Sequence, residues 1–243
     1  MKLVILSDIH ANLSALQSVL DDLKKRNIGT YKLVILGDVI NYGLRPNETL
    51  ELIKEHENIL VLLAGNHEMA LQGYEDDRFS SPRGKEILDL TKKLVTRDNM
   101  NYIQNDFYKG FIEKELDGKR YLFIHGSLDD TFWGTIKPSN MDNDDYKKYD
   151  VVFSGHSHKP HFVEHFFNDD NPEMRNKKKT IYINPGSIGQ PRNHENKSQY
   201  VVFDTVTMDI AFNKCEYDIA EEQENYKQYD VDTFYSTRLG EGI

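Results

Sequence analysis

Cysteine is nearly absent. Cys215 is the only one among 243 residues, which excludes an internal disulfide and a cysteine-built metal site and favours a reducing intracellular compartment. Long hydrophobic runs are missing too. Met1-Lys2 is followed by only four apolar residues before Ser7, Asp8 and His10, too few for the apolar region of a signal peptide. No stretch approaches membrane-spanning length. A cytoplasmic protein with no membrane partner is therefore expected. Basic charge is in short supply: 30 Lys and Arg face 40 Asp and Glu, a formal net charge of −10. Duplex nucleic acid is not expected as a partner, because affinity for it rests on neutralised phosphates. The one basic run, Lys177-Lys178-Lys179, precedes a strand and reads as a solvated hairpin turn. Repeats, low-complexity tracts and linkers are also lacking, so residues 1–243 are expected to form a single domain.

What is present is an ordinary globular composition with a clear alternation of elements. Leu3-Val4-Ile5-Leu6 reads as a buried strand. Leu13, Leu16, Leu20 and Leu23 follow at helical spacing, with Asn12 as N-cap. Leu33–Leu36 and Ile59–Leu63 are further strands, with a helix near 47–56 between them. Repeated β-α-β order with continuous apolar strands implies a parallel sheet covered by helices on both faces. Residues 69–118 are polar and helix-leaning, and are expected to be a helical insertion beside the site, either a lid or substrate wall or a plain helical layer. Strands at Tyr121–Ile124, Val151–Phe153, Thr180–Ile183, Gln199–Asp204 and Met208–Phe212 suggest a second sheet with antiparallel pairs. The tail from Glu216 reads as an outer helix.

Five short motifs lie at the ends of these strands: Asp8-Ile9-His10, Gly37-Asp38, Gly65-Asn66-His67-Glu68, His125-Gly126 and Gly155-His156-Ser157-His158. Taken singly, each is weak. A Gly-Asp is usually a turn, and a lone histidine is usually a satisfied core or surface residue. Together they align hard oxygen donors and imidazoles at the carboxyl ends of strands, where α/β sheets gather their ligands. That donor mixture suits two divalent cations.

In this order and spacing the motifs resemble those of the calcineurin-like metallophosphoesterase superfamily, from residue 8 to residue 158. Leu36–Gly43 with Pro46-Asn47-Glu48 is similar to the second motif of its bacterial phosphodiesterase-like branch. Asn184–Arg192 is similar to a late Asn-Pro-Gly-Ser segment, and Glu216–Ala220 and Arg238-Leu239-Gly240 to the tail. The resemblance implies an α/β fold with a two-sheet β-sandwich core of mixed strands flanked by helices, in four layers ordered αββα. It also implies that Asp8, His10 and His158 bind a first metal, that Asn66, His125 and His156 bind a second, and that Asp38 bridges them. His67 is implied as general acid toward the leaving group, and Glu68 either orients His67 or caps the next helix. Two ions, manganese first with Fe, Zn, Co or Ni as alternatives, would lower the pKa of a bridging water for in-line attack on a phosphoryl group. Tyr42, Arg45 and Arg192 are the candidate substrate contacts. Trp133 is expected to pack the loop behind His125, and Asn184–Arg192 to brace the site through its backbone.

The expected activity is hydrolysis of phosphodiesters or phosphomonoesters of small molecules or nucleotides. Asn41-Tyr42-Gly43 stands where protein phosphatases of this superfamily carry Asp-Arg-Gly, which turns the expectation away from protein substrates. An asymmetric dinucleoside polyphosphate hydrolase is one alternative. A binding scaffold that has lost catalysis, as in the retromer subunit that resembles these enzymes, is another, and a nuclease is a third. A homo-oligomer is compatible with all of them.

Overall fold

The protein, described by a computed structural model over residues 1–168, 170–173 and 177–243, is organised around two five-stranded mixed sheets packed face to face. In the first half, β1 (Lys2–Leu6), α1 (Leu13–Arg26), β2 (Tyr31–Ile35), α2 (Pro46–Lys54) and β3 (Ile59–Leu62) alternate. Next come α3 (Asn66–Leu71), α4 (Pro82–Leu94) and α5 (Arg97–Asp106). The second half runs through β4 (Phe111–Leu116), β5 (Lys119–Ile124), β6 (Val151–Ser154), β7 (His161–Phe166), β8 (Lys179–Asn184), β9 (Ser198–Asp204) and β10 (Ile210–Cys215). It closes with α6 (Ile219–Tyr226) and α7 (Phe234–Glu241). The strand orders are β10-β9-β1-β2-β3 and β4-β5-β6-β8-β7. β1, β2 and β3 run parallel, as do β5, β6 and β8, while the outer pairs are antiparallel.

The period of two explains why these strands are apolar throughout. Leu3 and Ile5, with Val201 and Phe203 of the neighbouring β9, face the second sheet and pack with Phe123 and Phe153. Val4 and Leu6 face the other way, onto Leu16, Leu20 and Leu50 of α1 and α2. The first sheet is thus covered by helices on one face only. Its other face is covered by the second sheet, where the β-α-β pattern alone suggests more helices, because a sheet buried on both faces reads the same whatever covers it. The outer face of the second sheet, with Leu122, Ile124, Val152 and Tyr182, is filled from the connection before β6 by Ile136, Met141, Tyr146 and Tyr149. That layer is irregular apart from a single turn at Asp144–Tyr146.

Local chemistry sets the element ends. Asn12 Oδ1 accepts from Ala15 N at 3.0 Å and starts α1, and Asn27 ends it in the left-handed conformation with φ 47°. Losing such an N-cap costs about 1 kcal/mol. Two edge strands escape the apolar-run signal. β4 and β7 alternate between half-buried and exposed residues, and their charged residues (Glu113, Lys114, Glu115, Glu164) mask the pattern. The helical segment after β3 accordingly ends at Asp106 and gives way to strand at Phe111. β10 begins at Ile210 rather than Met208, which lies in the preceding turn with φ 63°. Lys177 and Lys178 lie between the antiparallel strands β7 and β8, and Lys179 opens β8.

Two helices rather than one form the tail. They lie against the loop after β2: Tyr226, Tyr235 and Leu239 pack on Leu44 and Tyr42, and Tyr226 Oη donates to Tyr42 O at 3.0 Å. Among the described residues no helix is long and apolar enough to cross a membrane.

Candidate metal centre

The strands β1, β2, β3, β5 and β6 end at one place, and the chain leaves β1, β2 and β6 through tight, strained turns. Asp8, His10, Asp38, His156 and His158 all have positive φ, between 51° and 63°. Few non-glycine residues adopt this region, and Asp, Asn and His are enriched among those that do. The turns hold one another in place. Asp8 N donates to Gly37 O at 3.1 Å, His10 N to Asp38 O at 2.9 Å and Ala11 N to Val39 O at 2.7 Å. Gly37, at φ 105°, cannot be replaced at no cost, since a Cβ there would stand 2.6 Å from Gly65 N and 2.9 Å from His125 Nδ1.

The side chains converge as two groups that share one carboxylate. Asp8, His10, Asp38 and His158 form the first and Asp38, His125 and His156 the second, with the donor atoms of each group within 4.8 Å of one another. Asp8 Oδ1 lies 3.2 Å from His158 Nε2, and Asp38 Oδ2 lies 3.2 Å from His125 Nε2. Asn66 Oδ1 joins the second group, 3.1 Å from His125 Nε2 and 3.0 Å from His156 Nδ1.

The other ring nitrogen of three histidines faces a backbone carbonyl: His10 Nδ1 faces Ile40 O at 3.3 Å, His125 Nδ1 Leu36 O at 2.8 Å and His158 Nδ1 Gln190 O at 2.6 Å. Each Nδ1 therefore donates, and in a neutral ring Nε2 is left as a lone pair pointing inward. His10 Nε2 and His158 Nε2 then face each other at 3.1 Å. Two lone pairs at that distance repel unless a cation lies beside them. Asp8 Oδ1 and Asp38 Oδ2 are likewise buried with no hydrogen-bond partner. Buried acceptors without donors are costly, and here they converge on one spot, so the donor set fits divalent metal ions.

Electrostatics point the same way. Burial and neighbouring positive charge hold His10 and His158 well below the ordinary imidazole range. Burial, with His125 and Arg192, takes His156 down to about 3, and burial with Arg192 and His125 takes His67 down to about 4. His125 is the exception. Burial opposes its charging, but Asp38 and Asp8 outweigh burial and lift it to about 9. Burial raises Asp8 to about 7. Asp38 lies well below the usual carboxylate range because His125 and His67 overcome its burial.

The surrounding segments fix these residues. Glu68 accepts from Asp38 N, Val39 N, Ile40 N and Gly65 N at 2.8–3.0 Å. It therefore caps α3 and clamps the Asp38 turn, and makes no contact that would orient His67. Burial, together with Asp38, pushes it up to about 7. The Asn184–Arg192 segment braces the turn after β1: Ser187 Oγ and Gly189 N donate to Asp8 O at 2.7 and 3.0 Å, and Asn184 Nδ2 donates to Gly155 O at 2.7 Å. Trp133 packs edge-on to His156 at 6.2 Å and to Phe79 at 5.1 Å.

His67 stands apart from the two groups. Its Nε2 is 3.8 Å from Asp38 Oδ2, and its Nδ1 faces Asn41 Nδ2 at 2.7 Å. Tyr42 is brought to the centre, its ring 4.7 Å from that of His10 and 4.5 Å from that of His67. Arg192 lies there too, with its N donating to His158 O at 3.2 Å, its Nε buried without a partner, and no ion pair among the described residues. Arg45 is placed elsewhere. It pairs with Glu221 Oε1 at 2.8 Å and with buried Glu222, and donates to Ser14 Oγ. It borders a cavity of about 1030 Å³ between α1, α2 and the turn before α6, and none of the five strand-end motifs lines that cavity. Three contacts come from residues outside every motif: Ser7 Oγ on Asp8 Oδ2 at 2.6 Å, Phe79 edge-on to His67 at 4.9 Å, and Thr91 Oγ1 on Asn41 Oδ1 at 2.9 Å; Arg238 of the tail segment lies over Tyr42 at 6.0 Å.

A family model for the calcineurin-like phosphoesterase superfamily domain matches residues 1–208. The chain is 33% identical over 246 residues to an uncharacterized protein of Methanocaldococcus jannaschii, covering 98% of this chain and 96% of the other. A metallophosphoesterase from Sphaerobacter thermophilus superposes with a TM-score of 0.78 at 26% identity, over all of both chains. A hypothetical protein from Pyrococcus horikoshii OT3 shares the fold with a TM-score of 0.84 at 20% identity, covering 100% of this chain and 98% of the other.

Proposed function

The chain belongs to the calcineurin-like phosphoesterase superfamily, and on that premise we propose that it is a dinuclear-metal-dependent hydrolase of phosphodiesters or phosphomonoesters of small molecules or nucleotides. The observation that carries the proposal is the sharing of Asp38 between two convergent donor groups of carboxylates and imidazoles. Asp8, His10 and His158 would hold one ion, Asn66, His125 and His156 the other, and Asp38 both. Mn²⁺ is the first expectation, and Fe, Zn, Co and Ni also suit such donors. Bound there, two cations supply a water of lowered pKa and neutralise charge on the phosphoryl oxygens.

The protein's own groups account for the rest. The carbonyls of Ile40, Leu36 and Gln190 keep three imidazoles aimed inward before any metal arrives. Arg192 brings an unpaired positive charge beside the centre, suited to a phosphate oxygen. His67, outside both donor groups, is the catalytic residue that meets the leaving-group oxygen. Tyr42 walls the site beside it, and Asn41-Tyr42-Gly43 favours a small substrate over a phosphoprotein. Arg45 is assigned to holding α6 rather than to substrate. A cytoplasmic location accords with the single cysteine.

The test is metal analysis of the purified protein, joined to a panel of bis-p-nitrophenyl phosphate, cyclic nucleotides, phosphomonoesters and dinucleoside polyphosphates. Two metals per chain, and metal-dependent turnover that Asp38→Ala abolishes together with both metals, are expected. A fully metal-loaded protein that turns over no phosphate ester would favour a binding scaffold.

A further inference from the structure

Thr91 lies in the middle of α4, in the helical segment that no motif connects to the chemistry. Its hydroxyl is 2.9 Å from Asn41 Oδ1, and Asn41 Nδ2 is in turn 2.7 Å from His67 Nδ1. Thr91 and Asn41 are completely buried and His67 nearly so. The three side chains form a line from the helical layer to the metal centre.

The polarity of this line has a chemical consequence. A threonine hydroxyl carries one proton, and two acceptors are within reach, Asn41 Oδ1 and Ile87 O at 2.8 Å. Ile87 O already accepts the helical N–H of Thr91, whereas Asn41 Oδ1 has no other partner among the described residues. With the hydroxyl proton on Oδ1, the Asn41 amide turns its NH₂ toward His67. Nδ1 of His67 must then accept, and the ring proton sits on Nε2. That tautomer also suits the other side of the ring. Nε2 looks toward the carboxylate Oδ2 of Asp38 at 3.8 Å, where an N–H is attracted and a lone pair repelled. A second ring proton would confront an amide N–H at Nδ1.

We propose that Thr91 and Asn41 are positioning residues that lock the His67 ring with Nδ1 as acceptor and Nε2–H as donor, so that Nε2–H is held toward the leaving oxygen. A carboxylate at position 41 would have the opposite effect, accepting from Nδ1–H and permitting a cationic ring. The Nε2–H bond then meets the charge that builds on the departing oxygen as the P–O bond breaks. The role of His67 in this picture rests on the proposed phosphoesterase reading. The state of its ring does not.

The experiment is ¹⁵N-edited NMR of the histidine side chains in the metal-loaded protein, with His67 assigned by loss of its signals in His67→Gln. A diamagnetic Zn²⁺ form serves as the probe. A pyrrole-type nitrogen at Nε2 and a pyridine-type nitrogen at Nδ1 are expected. In Thr91→Val, which removes the hydroxyl at constant shape, the tautomer lock should weaken and kcat fall about 10-fold, with KM and metal content unchanged; Thr91→Ser should restore both. Asn41→Asp should move a proton to Nδ1. A proton on Nδ1 in the native protein, alone or together with one on Nε2, overturns the proposal, as does a Thr91→Val protein whose His67 signals are unaltered. The NMR result stands even if no phosphate ester is turned over, so failure of the enzymatic reading is seen separately.

Discussion

Asp38 Oδ1 lies where a side chain on Gly65 would begin. A Cβ at position 65 would stand 2.2 Å from that oxygen and 2.6 Å from Asp38 N. The oxygen is already fixed by His67 N, which donates to it at 2.9 Å. The glycine before Asn66 is therefore a vacancy the shared carboxylate requires.

Gly65→Ala should consequently act on the metals before it acts on the fold. Overpacking of this kind costs about 1–3 kcal/mol, and the displaced group is the one ligand common to both donor sets. Metal content should drop from two ions per chain toward none, with far-UV circular dichroism retained. A Gly65→Ala protein that keeps both ions would show that Asp38 is not held from this side.

His67→Ala should behave differently. His67 lies outside both donor groups, so two metals should remain bound. Loss of a fixed donor at the leaving oxygen lowers kcat by about 10²–10³-fold, with little change in KM. Loss of the metals together with the activity would make His67 structural.

Metal binding should release protons near neutrality. In the metal-free protein Asp8 titrates at about 7 and His125 at about 9, and both must be deprotonated to ligate. The sign follows directly. Below the lower value both protons compete with metal, and between the two only that of His125 does, so affinity rises with pH through the whole window. Roughly two protons should leave at about pH 6 and roughly one at about pH 8. Calorimetric titration in two buffers of different ionisation heat reads the number. A count independent of pH would mean that these groups do not ligate.

Arg45→Ala should cost stability and spare catalysis. Its partner Glu222 is 1% exposed and would be left as an uncompensated buried carboxylate, a loss of about 3 kcal/mol, the low end for such pairs because the arginine keeps some solvent. Chemical denaturation should show the loss, while KM for phosphate esters stays within about twofold, well under the roughly 10-fold shift that 1.4 kcal/mol of lost binding would give. A large rise in KM without destabilisation would return Arg45 to the substrate site.

The central strands are readable because apolar runs such as Leu3–Leu6 must be buried on both faces, and the ligands are readable because each follows such a run. The edge strands β4 and β7 are not, since half their residues face water, Glu113, Glu115 and Glu164 among them. Among the arginines, sequence offers the same guanidinium at 45 and 192. What separates them is tertiary: Glu222 arrives from an element some 180 residues away in the chain, and no carboxylate among the described residues pairs with Arg192. Thr91 was invisible for the same reason. A threonine within a polar helix looks like any solvent-facing residue until the helix is placed against Asn41.

The left-handed turns at the strand ends bear on how such a site persists through descent. Asp8, His10, Asp38, His156 and His158 each occupy a conformation in which glycine would be more comfortable by about 1 kcal/mol. Replacement by glycine at any of them would therefore relieve the backbone while removing a donor. A lineage released from the need for metal should lose these residues early, by relaxation rather than by damage.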